Sequence, residues 1–351
     1  MVERLLMKGN EAIGEAAIHA GCRYYFGYPI TPQSELTAYM ARRLLKIEGA
    51  AFIQAESEIA AINMVYGASA AGGRVMTSSS SPGISLKQEG ISYIACAELP
   101  CVIVNIMRGG PGLGSIQPSQ GDYFQATKGG GHGDYHLIVL APSSVQELVD
   151  LTIKAFDLSD KYRNPAMILG DGLLGQMMEP VQFKEFNKKS VPAKEDWALD
   201  SSKGREARRI VPFNLDPNEL EKLVNKIGQK YQEIQKEVEY EVVNIDNPDI
   251  IIVAYGIVAR IVKTVIQKAK KEGINIGLIR PITLYPFPGA VIEDIASKVE
   301  KILVTEMSLG QMVEDVKIAV NGKAKVSFYG RTGGVVISPA EILEEVKRLL
   351  K

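Results

Sequence analysis

The stretch CVIVNIMRGGPGLG (residues 101–114) joins an apolar run to a glycine-rich segment, and its first six residues predict a buried strand. Continuous apolar strands are typical of parallel sheets that are covered by helices on both faces. Helical stretches at 57–71, 84–97 and 143–158 alternate with further short β-rich runs, as such a sheet requires. The first half of the chain therefore indicates an α/β domain. Its other strands are predicted at 24–26, 51–54, 74–77, 137–140 and 166–169.

The second half repeats the α/β alternation after a charged stretch. Residues 181–209 hold many Lys, Glu and Arg side chains and few periodic apolar positions, so we interpret them as a surface connector. Apolar residues at helical spacing over 220–238 predict a helix that straps the first domain to the second. Ser338 and Glu341 form a capping box that opens the last helix. We predict a first domain at 1–185, a connector with the strapping helix at 186–245, and a second domain at 246–351.

The composition is that of an ordinary globular protein. Of 351 residues, 46% are hydrophobic and 23% are charged, which excludes a disordered or fibrous chain. Lys and Arg total 40 against 41 Asp and Glu, so the formal net charge of -1 argues against nucleic acid as a partner. No apolar stretch approaches the roughly 20 residues of a membrane-spanning helix, and the charged N-terminal residues do not resemble a signal peptide. We expect a soluble cytoplasmic protein with no membrane partner.

The cysteine and histidine positions do not predict a metal site in this chain. Cys22, Cys96 and Cys101 are too few for a disulfide framework or for the four thiolates of an iron–sulfur cluster. His132 and His136 are four residues apart, a spacing that suits a metal only on a helix. The surrounding glycines disfavour a helix there.

Two glycine-containing motifs give partial matches to nucleotide and metal signatures. Residues 109–115 lack both the Gly-Lys-Ser/Thr of a P-loop and the G-x-G-x-x-G of a dinucleotide site. Gly170-Asp171-Gly172 resembles the Mg²⁺ motif of thiamine diphosphate enzymes, which an Asn completes further along the chain. The window that should hold this Asn, residues 193–202, contains none. We therefore interpret Asp171 as part of a strand-end turn.

Three residues are candidates for a functional site. Glu58 begins an apolar helix, where it is either a glutamate favoured by the helix dipole or a buried carboxyl that hydrogen-bonds a cofactor nitrogen. Thr31 precedes a proline and is predicted to cap a helix that has Pro32 at its first position. Arg108 ends an apolar strand, where ligand sites of parallel sheets gather. It can pair with a carboxylate, or it can be a solvated or structural arginine.

Six stretches, taken together, resemble the alpha subunits of 2-oxoacid:ferredoxin oxidoreductases. The resemblance covers almost the whole chain, and within the family it is closest to the 2-oxoisovalerate (3-methyl-2-oxobutanoate) enzymes. The stretches are GYPITP (27–32), AESEIAA (55–61), TSSSSPG (77–83), MRGGPG (107–112), GHGD (131–134) and RPITLYPFP (280–288).

The resemblance implies a fold, a cofactor and a set of partners. The fold would be a thiamine diphosphate-binding, pyrimidine-type domain followed by an α/β domain like the transketolase C-terminal domain. This chain would hold the pyrimidine half of the cofactor. A beta subunit would hold Mg²⁺ and the diphosphate, while [4Fe-4S] clusters would lie on partner subunits, including ferredoxin-like gamma and delta subunits. The complex would decarboxylate a 2-oxo acid oxidatively to acyl-CoA and CO₂, using coenzyme A as co-substrate and ferredoxin as electron acceptor.

The resemblance also assigns roles to the three candidate residues. Glu58 aligns with the catalytic glutamate that hydrogen-bonds N1′ of the aminopyrimidine ring. Thr31 aligns with a threonine near substrate and cofactor, and Arg108 aligns with the arginine that contacts the substrate carboxylate. Here Arg108 precedes Gly-Gly-Pro-Gly, unlike in the pyruvate enzymes.

Three other interpretations remain open at this stage. The substrate could be 2-oxoglutarate, which would need a second cation, instead of a branched-chain acid, which would need an apolar pocket. The chain could belong to a non-redox thiamine enzyme, since the same glutamate would serve it. It could also be a catalytically silent α/β assembly protein that shares only the fold.

Overall fold

The structure is a computed structural model that describes residues 4–183 and 196–351. The part of the predicted connector at 184–195 lies outside the described residues. Fourteen strands in this part of the chain form three sheets. The strands are β1 (Leu5–Lys8), β2 (Tyr24–Gly27), β3 (Ala51–Gln54), β4 (Val75–Ser79), β5 (Val102–Met107), β6 (Ile138–Leu140), β7 (Ala166–Asp171), β8 (Met178–Val181), β9 (Tyr240–Val243), β10 (Ile250–Val253), β11 (Ile276–Pro281), β12 (Thr283–Tyr285), β13 (Lys301–Glu306) and β14 (Lys325–Gly330).

Helices connect most of these strands. The predicted helices at 57–71, 84–97 and 143–158 are confirmed as α3, α4 and α6, with shifts of a few residues at their ends. Sequence reasoning missed α1, where Gly14 weakens the helical pattern, and also α5, α7 and α11. The helices are α1 (Gly9–His19), α2 (Ser34–Leu44), α3 (Glu58–Ala70), α4 (Ser81–Cys96), α5 (Tyr123–Thr127), α6 (Val145–Tyr162), α7 (Gly172–Gln176), α8 (Pro217–Ile234), α9 (Gly256–Lys271), α10 (Gly289–Ala296), α11 (Met312–Val320) and α12 (Pro339–Leu350).

The larger sheet has seven strands in the order β12-β6-β7-β5-β4-β2-β3. Strands β2 to β7 run parallel, and β12 joins the edge antiparallel to β6. All six residues of β5 are buried. Val104 and Ile106 pack into the core that contains Ile13 of α1, whereas Ile103 packs with Ile91 of α4. Helices therefore cover both faces, as the apolar run at 101–106 predicts.

Strands β1 and β8 pair antiparallel in a two-stranded sheet, and the remaining sheet has five strands in the order β14-β13-β10-β11-β9. In this five-stranded sheet β10, β11, β13 and β14 run parallel, and β9 is antiparallel to β11. The predicted capping box opens α12, since the Ser338 side chain accepts from the amide of Glu341 and the Glu341 side chain accepts from the amide of Ser338. The predicted domain limits at 1–185, 186–245 and 246–351 stay a prediction.

Two features join the halves of the chain. Helix α8 carries the predicted apolar stripe, and Tyr231 accepts a hydrogen bond from the amide of His136 (2.9 Å) and packs edge-on against Tyr285. The helix ends at Ile234 and continues as a short 3-10 helix, so the stripe stops earlier than predicted. Buried Arg280 of β11 bonds Glu147 of α6 (2.7 Å). These contacts fix the second half against the first.

One predicted helix start is wrong. Thr31 and Pro32 do not open α2, whose N-cap is Gln33 and whose first residue is Ser34. The peptide bond between Thr31 and Pro32 is cis. The carbonyl of Pro32 accepts a hydrogen bond from Asn10 Nδ2 (2.7 Å), so this residue belongs to a fixed loop ahead of the helix.

The strand-end turn at Asp171 is confirmed. The residue closes β7, and its carboxylate caps α7 by accepting from the amides of Leu173 (2.9 Å) and Leu174 (3.1 Å). Burial raises the pKa of Asp171 to about 6. Within residues 4–183 and 196–351, we find no helix with the length and apolar character needed to cross a bilayer.

Candidate active site

The candidate residues follow three parallel strands of the larger sheet. Thr31 lies in the loop after β2, Glu58 begins the helix after β3, and Arg108 directly follows β5. Because β2, β3 and β5 are parallel, these positions lie at the same carboxyl edge of the sheet, where α/β proteins bind ligands. The structure thus gathers all three predicted residues on one edge.

Glu58 is buried although it carries an ionisable carboxyl group. The residue is 6% exposed and is the first residue of α3, whose N-cap is Ser57. Its side chain also contacts the first turn of α4, since a Cβ added to Gly83 would lie 2.6 Å from Glu58 Oε1. The carboxyl group therefore faces two helix N-termini, whose dipoles favour a negative charge. Within the described residues, no group donates a hydrogen bond to it.

Thr31 and Arg108 are directly connected. The Arg108 side chain donates from Nη1 to the carbonyl of Thr31 (2.9 Å) and from Nη2 to the carbonyl of Leu113 (2.8 Å). Arg108 is 9% exposed, and its Nε–H has no partner in the part of the chain that the structure describes. Thr31 itself is exposed. The arginine thus holds the loop after β2 against the glycine-rich segment and keeps one donor unused.

A buried polar network links Arg108 to the start of α4. The Ser81 hydroxyl accepts from the amide of Arg108 (3.0 Å) and donates to the carboxylate of Asp122 (2.6 Å). Asn105 Nδ2 donates to the same carboxylate (2.9 Å). Burial raises the pKa of Asp122. The first turn of α4 therefore contacts Glu58 through Gly83 and Arg108 through Ser81, which fixes the two candidate residues relative to each other.

Several polar atoms near this turn are buried without a protein partner. Among the described residues, the hydroxyls of Ser79 and Ser80 and the Nε2 of Gln33 have no hydrogen bond. Ser79 lies beside Glu58, since both contact the position of a Cβ on Gly83. Unsatisfied buried polar groups are rare in native proteins and call for an occupant such as water or a ligand. The edge therefore has the character of a binding site.

Sequence reasoning missed Lys87, which is fully buried in α4. Its Nζ donates to the Thr77 hydroxyl (3.0 Å). Burial lowers the pKa of Lys87 to about 8, and the charge of Glu58 acts in the opposite direction. A signal was available, because Lys87 falls on the same helical stripe as Ile84 and Ile91, which are both buried. A lysine at a core position of a helix indicates a buried charge.

The structure describes no cluster of three His, Cys, Asp or Glu side chains that could hold a metal within residues 4–183 and 196–351. All three cysteines are free thiols. The Asp171 carboxylate, from the motif that resembles a Mg²⁺ site, is used to cap α7.

Comparison with known families shows what kind of domain carries this edge. Residues 15–246 match the family described as pyruvate flavodoxin/ferredoxin oxidoreductase, thiamine diphosphate-binding. The chain belongs to this oxidoreductase family. Residues 248–342 match the core domain II of pyruvate:ferredoxin oxidoreductase. The predicted resemblance to 2-oxoacid:ferredoxin oxidoreductases is thereby confirmed.

Individual oxidoreductases resemble the whole chain. It is 50% identical to the ketoisovalerate oxidoreductase subunit VorB of Methanothermobacter thermautotrophicus, over 98% of this chain and 97% of that protein. A 2-oxoglutarate:ferredoxin oxidoreductase from Magnetococcus marinus, solved with 2-oxoglutarate, coenzyme A and succinyl-CoA bound, superposes with a TM-score of 0.86 at 27% identity. The match covers 100% of this chain and 66% of that one.

A split-gene transketolase, solved as an inactive beta4 tetramer, shares the fold. The TM-score is 0.62 at 14% identity, over 98% of each chain. The predicted fold class, a thiamine-type α/β domain followed by a transketolase-like α/β domain, is confirmed.

The residues at the edge fit thiamine diphosphate as an oxidoreductase of this family would hold it. Among the described residues, Glu58 offers a buried carboxyl group to which no group donates, and Ser79 offers a hydroxyl without a hydrogen bond next to it. Gly83 keeps the space between them open, since a side chain there would overlap both. A ring nitrogen that shares a proton with Glu58 would supply the missing hydrogen bond.

Proposed function

We propose that this chain is the pyrimidine-binding subunit of a thiamine diphosphate-dependent 2-oxoacid:ferredoxin oxidoreductase. The complex would convert 2-oxoisovalerate and coenzyme A to the acyl-CoA and CO₂, with electrons passed to ferredoxin. The observation that carries the proposal is the buried Glu58 carboxyl group, which has no protein donor among the described residues and lies at the carboxyl edge of a family-typical sheet.

Each candidate residue has a distinct proposed role. Bound thiamine diphosphate supplies the electron sink that makes loss of CO₂ from a 2-oxo acid possible. Glu58 holds a proton between its carboxyl oxygen and the ring nitrogen N1′, and the dry surroundings strengthen that hydrogen bond. Arg108 directs its Nε–H, which has no partner in the described part of the chain, toward the substrate carboxylate while its two Nη groups hold the loops. Thr31 lines the same edge next to substrate and cofactor.

The remaining parts of the catalytic site would come from partner subunits. We assign Mg²⁺ and the diphosphate to a beta subunit, and [4Fe-4S] clusters to partner subunits that include ferredoxin-like gamma and delta subunits. The use of Asp171 as a helix cap supports this division, because its buried carboxylate is already occupied by backbone hydrogen bonds from Leu173, Leu174 and Ile257. We also place the assembled enzyme in the cytoplasm.

Similarity favours a branched-chain substrate over 2-oxoglutarate. Identity is 50% to the ketoisovalerate oxidoreductase subunit and 37% to a 2-oxoglutarate synthase subunit, and both matches cover nearly all of both chains. Turnover of the purified complex with 2-oxoisovalerate, 2-oxoglutarate and pyruvate, measured with a viologen acceptor, tests the assignment. A preference for 2-oxoglutarate would overturn the substrate but not the reaction.

The role of Glu58 is tested by Glu58→Gln in the reconstituted complex. The amide cannot share a proton as a carboxyl group does, so turnover should fall by about 10²–10⁴-fold while the complex still assembles. Glu48→Gln is the matched control, because Glu48 is exposed near the opposite end of β3 and its replacement should leave turnover unchanged. Wild-type turnover in Glu58→Gln would refute the proposed function.

A further inference from the structure

We propose that Lys87 is a positioning residue whose buried ammonium group, held behind Glu58 between β4 and α4, acts as the counter-charge of the Glu58 carboxyl group. The inference rests on the proposed function, in which Glu58 faces the ring. It adds a residue that the reaction itself does not require, since Lys87 would act only through Glu58.

The geometry of α4 places Lys87 behind Glu58. Gly83 and Lys87 are four residues apart on this helix and therefore lie on the same face. Gly83 contacts the Glu58 carboxyl group. Long side chains in helices point back toward the N-terminus, which directs the lysine toward Gly83 and Glu58.

Strand β4 forms the other wall of this compartment. Thr77 and Ser79 lie two residues apart and so project to the same face of the sheet. Thr77 accepts the hydrogen bond from Lys87 Nζ (3.0 Å), and Ser79 lies beside Glu58. The lysine and the glutamate thus belong to one compartment between β4 and α4, with the ammonium held at the inner end.

Electrostatics couples the two side chains without a direct ion pair. Among the residues that the structure describes, Glu58 is the one charged group that acts appreciably on Lys87, and it favours the charged form of the lysine. Thr77, the group that faces Lys87 from β4, does not titrate. A buried carboxylate takes up a proton from water unless a nearby cation offsets the cost of its charge. Lys87 is the cation in position to do so.

A double-mutant cycle on the full chain, without cofactor, tests the coupling. Glu58→Gln should lower the unfolding midpoint at pH 7 because it leaves a buried ammonium without a counter-charge, and the same substitution should cost less in a Lys87→Met background. The coupling should disappear at pH 10, where the lysine is neutral. Glu89→Gln removes an exposed charge two residues from Lys87 and should show no coupling in either case. Additive effects of Glu58→Gln and Lys87→Met at pH 7 would overturn the inference.

A direct titration covers the case in which Lys87→Met does not fold. In the full chain with ¹³Cε-labelled lysine, one resonance should titrate near pH 8 and should move to lower pH in Glu58→Gln. If every lysine resonance titrates near pH 10.5 or is unmoved by Glu58→Gln, the inference is wrong. We also expect turnover of the wild-type complex to decline above pH 8, as Lys87 loses its proton, and turnover of the Lys87→Met complex to lack that decline.

The two proposals fail in different ways. Wild-type turnover in Glu58→Gln refutes the proposed function, whatever the stability data show. The role of Lys87 alone is refuted if Glu58→Gln loses turnover as expected but shows no coupling to Lys87 in stability, and if Lys87→Met keeps the pH dependence of wild-type turnover.

Discussion

Replacing Gly83 with alanine should inactivate the enzyme with little loss of folded protein. The added Cβ would lie 2.1 Å from Ser79 Oγ and 2.6 Å from Glu58 Oε1. Carbon and oxygen atoms in ordinary contact stay about 3.5 Å apart, so both groups must move by roughly 1 Å. A displacement of that size at a catalytic group can cost about 10²-fold in turnover. We therefore expect turnover of 2-oxoisovalerate to fall by about that factor.

The expected change in stability is small because two effects oppose each other. Alanine is favoured over glycine in a helix by about 1 kcal/mol, whereas overpacking costs about 1–3 kcal/mol. The Gly83→Ala chain should therefore lose at most about 2 kcal/mol in its free energy of unfolding, measured in urea. Oxidation of 2-oxoisovalerate by the reconstituted complex, followed with a viologen acceptor, gives turnover on the same preparation.

Gly67→Ala provides the control on a neighbouring helix. Gly67 is exposed in α3, and an added Cβ there meets no atom within 4 Å. This variant should gain up to about 1 kcal/mol in stability and keep wild-type turnover. If Gly83→Ala also kept wild-type turnover, the placement of Glu58 beside α4 would not matter for the reaction, and our account of the site would be wrong.

Three further predictions concern stability and binding. The pKa of Lys87 is about 8 in the folded chain, against an ordinary value of 10.5. Between these pH values the unfolded chain binds more protons than the folded chain, so the free energy of unfolding should rise by about 3 kcal/mol from pH 8 to 10.5. Lys87→Met should lack that rise in urea unfolding. Arg108→Lys should raise the KM for the 2-oxo acid by at least about 10-fold, because lysine cannot bond both loops and the substrate; an unchanged KM would remove Arg108 from the substrate site. Arg280→Met should cost about 3 kcal/mol in the free energy of unfolding, since it leaves the Glu147 carboxylate without its buried partner; a loss below about 1 kcal/mol would show that this contact is not stabilising.

The layered architecture could be predicted because the burial of a strand is visible in the apolar character of a few consecutive residues. Residues 250–254 are apolar throughout and residues 101–106 are apolar except for Asn105, and a sheet covered on both faces buries such strands fully. The capping box at Ser338 was equally readable, because the capping hydroxyl and the backbone amide that donates to it lie within one turn. Strand order within each sheet and the antiparallel edges depend on contacts between distant residues, which periodicity does not encode.

The site was only partly predictable for the same reason. Glu58, Thr31 and Arg108 follow strand ends, and parallel strands bring such ends together. The helix start at Thr31 was misjudged because Thr-Pro is a helix-opening pattern in isolation, whereas here the carbonyl of Pro32 is held by a distant asparagine. Lys87 was missed although its position on a buried stripe was visible, because its significance depends on Glu58 being across the compartment.

The last strand of the larger sheet has a practical consequence for truncation. Strand β12 is supplied by residues 283–285, far along the chain, and it covers the edge of β6. A shortened gene that stops before this point would leave the backbone of β6 unpaired, and open edges recruit strands from neighbouring molecules. Such fragments should precipitate on expression, so affinity tags and fusions belong at the ends of the full-length polypeptide.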